Sequence, residues 1–336
     1  MKRAFAFVFV GVLIVAVVLV GFFVLQSGNQ VSGTINSDTT WRGTVNLAGN
    51  VTVNSGVRLT IQPGTTVNFN SSALQIDGTL VARGNGNQKI TLNGGFGGMI
   101  IFAASSTPWD EQAGSGSIMD NCVSSCYIIT RGASPKLTNS LLNASPQNSR
   151  VMLVDGGAPI IVNNQITGNL HPVTYGYGGE SGIMFGSDNS ATVTGNTIQK
   201  CMDGIAISAL IKTFTGTMTI QHNLIMGNVD GVFFGSPQKV VFEDNTVTQN
   251  WQGFRVTGYS NQSVFTSNNI YGNTNRTIGL EAAQWPTDMN VPNNWWGTTD
   301  ATTIGQSIHD FRVDSRLGTV NFTPVLQTEN QDAPNP

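Results

Sequence analysis

The sequence predicts an all-β solenoid of short strands stacked coil upon coil, and three observations carry that expectation. First, an asparagine step recurs: Asn196-Thr-Ile-Gln-Lys-Cys201-Met-Asp-Gly204, Asn223-Leu-Ile-Met-Gly-Asn228-Val-Asp-Gly231, Asn245-Thr-Val-Thr-Gln-Asn250-Trp-Gln-Gly253 and a shorter Asn268-Asn-Ile-Tyr-Gly-Asn273. An apolar residue precedes each first Asn by three (Val193, Ile220, Phe242, Phe265), and another follows it by two. Second, short apolar–polar–apolar triplets run through the first third, among them Val51-Thr-Val53, Leu59-Thr-Ile61 and Ile90-Thr-Leu92. Period-2 alternation over so few residues is the mark of half-buried strands. Third, glycine is abundant (39 residues) and charge is low (10%), and no stretch after residue 30 repeats with the 3.6 period of an amphipathic helix.

The asparagine frame extends in both directions. Ser134-Pro-Lys-Leu137 leads into Ser140 and Ser145, Ala158-Pro-Ile-Ile161 into Asn164 and Asn169, and Val291 into Asn294. The frame positions are therefore 121, 140, 164, 196, 223, 245, 268 and 294, and the steps run from 19 residues (121 to 140) to 32 (164 to 196). A unit of this size is one coil of a parallel solenoid. Successive coils stack at about 4.8 Å, so equivalent residues form columns. An Asn amide both donates and accepts, so Asn164, Asn169, Asn196, Asn223, Asn228, Asn245, Asn250, Asn268 and Asn273 are expected to form structural ladders, each amide bonded to the next. The Gly at the eighth position of each copy fits a bend that needs φ > 0 or a close backbone approach.

Two end signatures add a resemblance. One is Ser37-Asp-Thr-Thr-Trp41 followed by Val51-Thr-Val-Asn-Ser-Gly-Val-Arg-Leu-Thr-Ile-Gln-Pro-Gly-Thr-Thr-Val67 and Gly78-Thr-Leu-Val-Ala-Arg-Gly84. The other is Asn293-Asn-Trp-Trp-Gly-Thr298, then Ile308-His-Asp310, Leu317-Gly-Thr-Val320 and Phe322-Thr-Pro-Val-Leu326. On these the chain resembles right-handed parallel β-helix proteins of the pectin-lyase-like class. It resembles in particular the branch with NosD-like, periplasmic copper-accessory-type repeats found on archaeal and bacterial surfaces. The resemblance implies a right-handed single-stranded parallel β-helix of about ten coils. Its enzymes act on acidic polysaccharides, either through a carboxylate cluster holding Ca²⁺ with a basic residue, or through several close Asp with a nearby His.

The expected organisation follows the chain. Lys2 and Arg3 precede an uncharged run from Ala4 to Leu25, which as a helix is about 33 Å long and spans a bilayer core. Residues 1–27 are accordingly expected to form a cytoplasmic stub and a transmembrane signal-anchor, or a signal peptide if cleaved. The rest would lie outside the cell. Residues 28–50 are expected to be a linker and N-terminal cap, 51–297 the β-helix, 298–326 a C-terminal cap and 327–336 a disordered tail. Sequons at Asn50, Asn70, Asn143, Asn261, Asn275 and Asn321 suit an exterior location. Of the three cysteines, Cys122 and Cys126 are close enough in sequence to bridge, and Cys126 and Cys201 also fall at second-ladder positions. A net charge of −3 gives no basic footprint for nucleic acid.

Chemistry has few places to sit. There is no Asp-Asp pair, and the three histidines (171, 222, 309) are scattered. Asp203 and Asp230 share one repeat position, with Gln252 next. On adjacent coils their carboxylates would stand about 5 Å apart, near the spacing of a retaining glycosidase pair and able to invite Ca²⁺. An Asp before Gly also simply makes a solvated turn. An outward column of Met184, Ala206, Phe233 and Arg255 is expected on successive coils, where Phe beside Arg suits a sugar ring or a partner. The insertion 170–181, with Tyr175, Tyr177 and Glu180, and the loop Ala209–Thr217 would border such a surface. Trp109-Asp110-Glu111 is expected on a surface loop, and Trp295 and Trp296 in end packing.

Three functions follow as expectations. The first is a membrane-anchored extracellular β-helix that binds carbohydrate or another cell-envelope partner without catalysis. The second is a polysaccharide lyase or glycoside hydrolase using Asp203 and Asp230, with Arg255 as positive charge. The third is an accessory factor for metal-cofactor assembly, on the resemblance alone; no Cys/His cluster marks a metal site. No cofactor is evident beyond the candidate Ca²⁺.

Overall fold

The computed structural model describes residues 29–145, 150–170, 181–209, 214–281 and 288–336. The apolar run 4–25, His171, Tyr175, Tyr177 and Glu180 lie outside the described residues. Among the described residues no helix is long and apolar enough to cross a membrane.

The chain forms a parallel solenoid with three strand faces. The first face is a ten-stranded sheet from Thr39–Trp41 to Val264–Thr266. Ten strands give nine coil-to-coil steps. The second and third faces belong to one continuous sheet, because strand Thr44–Val53 runs round the corner between them. Its first part pairs with Thr66–Asn68 and its last part with Ala73–Ile76. The second face ends at Asn269–Tyr271 and the third at Ile308–His309. All the strand pairs are parallel.

The alternation expected from sequence puts every second residue inside. On the third face the inward column is Ile183, Ile205, Val232, Phe254 and Ile278, each directly over the next and each fully buried. Phenylalanines dominate the lower core: Phe242 and Phe265 stack at 4.8 Å between ring centroids, and Phe254 meets Phe265 edge-on at 5.1 Å.

The asparagine ladders occupy two corners. In the first, Oδ1 of Asn223 accepts from both the backbone N and the Nδ2 of Asn196 at 3.0 and 2.9 Å. The same two-bond link joins Asn164 to Asn196, Asn223 to Asn245, Asn245 to Asn268 and Asn268 to Asn294. The second ladder links Cys201 to Asn228 through its backbone N, then Asn228 to Asn250 and Asn250 to Asn273. These side chains are buried down to Asn250 and Asn294, so an unmet amide would carry its full desolvation cost.

One position of the expected frame needs correction. The first frame position is Cys122, whose N–H donates to Ser140 Oγ, and not Asn121. Asn121 is the residue before it, in the left-handed region that precedes each ladder position: Asn139, Asn163, His222, Asp244, Ser267 and Asn293 share it, with Gly195 at the remaining step. Each copy has a second such residue just before its second ladder position (Lys200, Gly227, Gln249 and Gly272), and Gly204, Gly231 and Gly253 serve close approach, one of the two roles expected of them. A Cβ on Gly204 would lie 2.6 Å from the Gly231 carbonyl oxygen, and one on Gly231 would lie 2.7 Å from that of Gly253. Cys122 and Cys126 are not bridged; both are buried thiols with pKa values pushed up by burial.

The boundaries shift as well. Parallel stacking begins before residue 51, since Asn29–Ile35, Thr39–Trp41 and Thr44–Val53 are already rungs with Trp41, Val45 and Leu47 inside. The tail 327–336, expected to be disordered for its polarity, lies ordered against the second face. There it finds backbone and side-chain partners on three coils. Residues 298–326 follow the last coil and include the short helix Ala301–Gln306, capped by Asp300. There Trp296 meets Phe322 edge-on at 5.9 Å.

Candidate functional site

Four third-face strands build the site: Asp203–Ile207, Asp230–Gly235, Gln252–Gly258 and Arg276–Leu280. Asp203 stacks on Asp230 and Asp230 on Gln252. Met184, Ala206, Phe233, Arg255 and Gly279 form one column. Both alignments are those expected from the repeat. The Asp-Gly step breaks strict alternation. Asp230 and Phe233 are three apart, yet both contact the Arg255 side chain, and the intervening glycine lets the strand swing without a Cβ clash.

Arg255 is the hub. Its Nε donates to Asp230 Oδ2 at 2.5 Å, and its Nη2 donates to Asp203 Oδ1 at 3.2 Å. Its Nη1 lies 3.8 Å from Glu281 Oε2. The guanidinium carbon sits 3.7 Å from the Phe233 ring centroid, a cation–π contact reinforced by partial desolvation. Asp203 and Asp230 are buried, at 6% and 5% exposure, while Phe233 and Arg255 remain partly open to solvent.

Burial sets the electrostatics. It pushes the Asp230 carboxyl up to about 6; Arg255 opposes the rise, and Asp203 and Glu281 add to it. Burial also raises Asp203, against the pull of Arg255 and, more weakly, Arg150. The Arg255 guanidinium loses solvation too, but Asp230, Asp203 and Glu281 more than compensate, and its proton is held more tightly than usual. The two carboxylates thus share one counter-charge. A Ca²⁺ bound between them would have to displace that guanidinium. Among the described residues no group of three or more His, Cys, Asp or Glu side chains is placed to hold a metal.

Other sequence candidates fall elsewhere. Gln252 is buried and donates to the Phe254 carbonyl. Trp109 lies between Arg83 and Lys136, with ring contacts of 5.1 and 5.4 Å, and Lys136 is paired with Glu111. Of the sequons, Asn261 and Asn275 are exposed, Asn143 is half-buried, Asn50 accepts from the Ala73 N–H, Asn70 donates to the Leu47 carbonyl and Asn321 donates to Asn290. Sequence reasoning missed Glu281 and Arg150. Neither recurs from coil to coil, so the repeat carried no signal for them.

Residues 151–300 match the family model described as the right handed beta helix region. That stretch holds Asp203, Asp230, Phe233, Arg255 and Glu281, and the parallel β-solenoid formed by the described residues has the architecture that this model describes. The pectin-lyase-like class fits this architecture. No curated protein and no solved structure matches the chain.

Proposed function

We propose that this chain is a non-catalytic recognition β-helix, anchored to the membrane through residues 4–25 with the solenoid outside the cell. In this reading the Phe233–Arg255 surface binds carbohydrate or another cell-envelope component. One observation carries it: a single guanidinium engages both Asp203 and Asp230 while its carbon sits over the Phe233 ring. Carboxylates so engaged are not free to act as nucleophile and acid. An ion-locked planar Arg on an aromatic ring is, in contrast, a fixed amphipathic platform of the kind that stacks on sugars. The full chain, applied to neutral, acidic and amino-sugar glycans and to envelope fragments, is expected to bind at least one class. Phe233→Ala should weaken that binding by about tenfold, the scale of one lost stacking contact. Binding to none of them, or binding indifferent to Phe233→Ala, overturns the proposal.

A second reading is favoured by the raised Asp230 carboxyl, which at about 6 has the value a general acid needs near neutrality. The chain would then cleave an acidic polysaccharide, with release of reducing ends or unsaturated products abolished by Asp230→Asn. Absence of any product from a broad panel removes this reading.

A further inference from the structure

The second face explains itself everywhere except over its last three coils. Leu224, Thr246 and Asn269 hold one column of that face, and Thr248 lies beside it. Earlier members of the column, such as Gln165 and Thr197, are exposed or half-buried. Leu224, Thr246, Thr248 and Asn269 are instead buried, Thr246 and Asn269 completely. The C-terminal tail lies along them. After Leu326, whose N–H donates to the Asn294 carbonyl, the chain turns back and runs against the direction of coil growth.

Asn330 pins it. Its Nδ2 donates to the Ser267 carbonyl at 2.6 Å and to Asp244 Oδ1 at 2.9 Å. Its backbone N–H donates to Asn269 Oδ1, and its carbonyl accepts from Asn269 Nδ2, both at 2.9 Å. Two residues on, the Asp332 carbonyl lies 3.2 Å from His222 Nδ1, and Ala333 is buried. Ser267, Asp244 and His222 are the left-handed residues before three successive ladder asparagines. The tail therefore crosses three rungs at one corner.

Those rungs also carry the charged cluster except Asp203, which lies one coil earlier. The coil of His222 carries Asp230 and Phe233, the coil of Asp244 carries Arg255, and the coil of Ser267 and Asn269 carries Glu281. In a solenoid each coil otherwise touches only its neighbours, so the end coils are free to open one by one. A segment bonded to three coils at once couples them.

We infer that residues 327–333 are a strap, with Asn330 as its pin, that fixes the stacking of these three coils and so holds Asp230, Phe233, Arg255 and Glu281 in register from the opposite side of the molecule. Asn330 is in this sense a positioning residue. The strap is held mainly by hydrogen bonds, so it can detach without unfolding the solenoid.

Peptide-resolved hydrogen exchange on the full chain, on a chain ending at Leu326 and on Asn330→Ala tests this without any ligand. Both variants should lose protection by about tenfold or more over residues 217–281, with residues 58–102 unchanged. The Asn330→Ala loss should be the smaller one. Unchanged exchange over 217–281 in both variants refutes the strap. An equal loss along the whole chain also refutes it, because it would make the tail a requirement for folding at large. Neither outcome bears on whether the Phe233–Arg255 surface binds carbohydrate.

Discussion

Arg255 carries more of the site than either acid beside it, because it is the one group that touches every other member. Removing a partner from such a cluster leaves an uncompensated charge in a place water hardly reaches. The titration of Asp230 follows from the same burial. Its folded pKa, about 6, lies above the ordinary carboxylate value of 3.8. The folded protein thus holds this proton where the unfolded chain releases it. The associated stability is complete below about pH 4 and is lost as pH rises through about 6. Asp230→Asn removes the titration. Melting temperatures measured from pH 4 to 7 should show wild type losing stability relative to this variant as pH rises. A difference that stays flat, or grows, over that range contradicts the assignment.

At the scale of the element, the ladders are chains of amides in which each Oδ1 serves the coil before it. Asn223 both accepts from Asn196 and donates to Asn245 Oδ1 and to the Val193 and Gln221 carbonyls. Asn223→Ala strands several buried groups at once and should cost about 3 kcal/mol or more. Asn273, partly exposed at the end of the second ladder, should cost about 1 kcal/mol. Urea titrations of the two variants provide the comparison, and equal losses would argue against a buried cooperative column. The ladders and the third-face register were legible in the sequence because Asn, Asp and Gly recur at fixed offsets. Asp203 over Asp230 and Phe233 over Arg255 were read directly from that recurrence. What could not be read was the closure of Arg255 onto both acids, since an alignment of positions says nothing of how far a long side chain reaches. The rungs within 29–50 lack the Asn step, and without it the sequence suggests a linker and cap there. The tail's polarity suggested disorder, because composition does not reveal a waiting row of partners such as Asn269, Ser267 and Asp244.

For the whole molecule, stability is a sum over coil interfaces, and a change in one should stay near it. Trp41 is buried at the first coil and Trp296 at the last. Variants keeping only one of these tryptophans as a fluorescent reporter can follow each end separately. Asn245→Ala should lower the unfolding midpoint seen by Trp296 more than that seen by Trp41. Identical shifts at both ends would mean that the solenoid unfolds as one unit.

The one-way amide chain also bears on how such a molecule lengthens. Asn196, Asn223, Asn245 and Asn268 present the same acceptor upward and the same donors downward, and they stand 27, 22 and 23 residues apart. A duplicated coil inserted between Asn196 and Asn223, before the rungs that the tail bonds, would find ladder partners on both sides. Asn294 closes the series among the described residues: its amide donates to the Phe265 carbonyl of the coil before and to the Val291 and Pro292 carbonyls of its own loop, with no further ladder amide. A turn gained there would leave the two ends and the strapped coils unchanged.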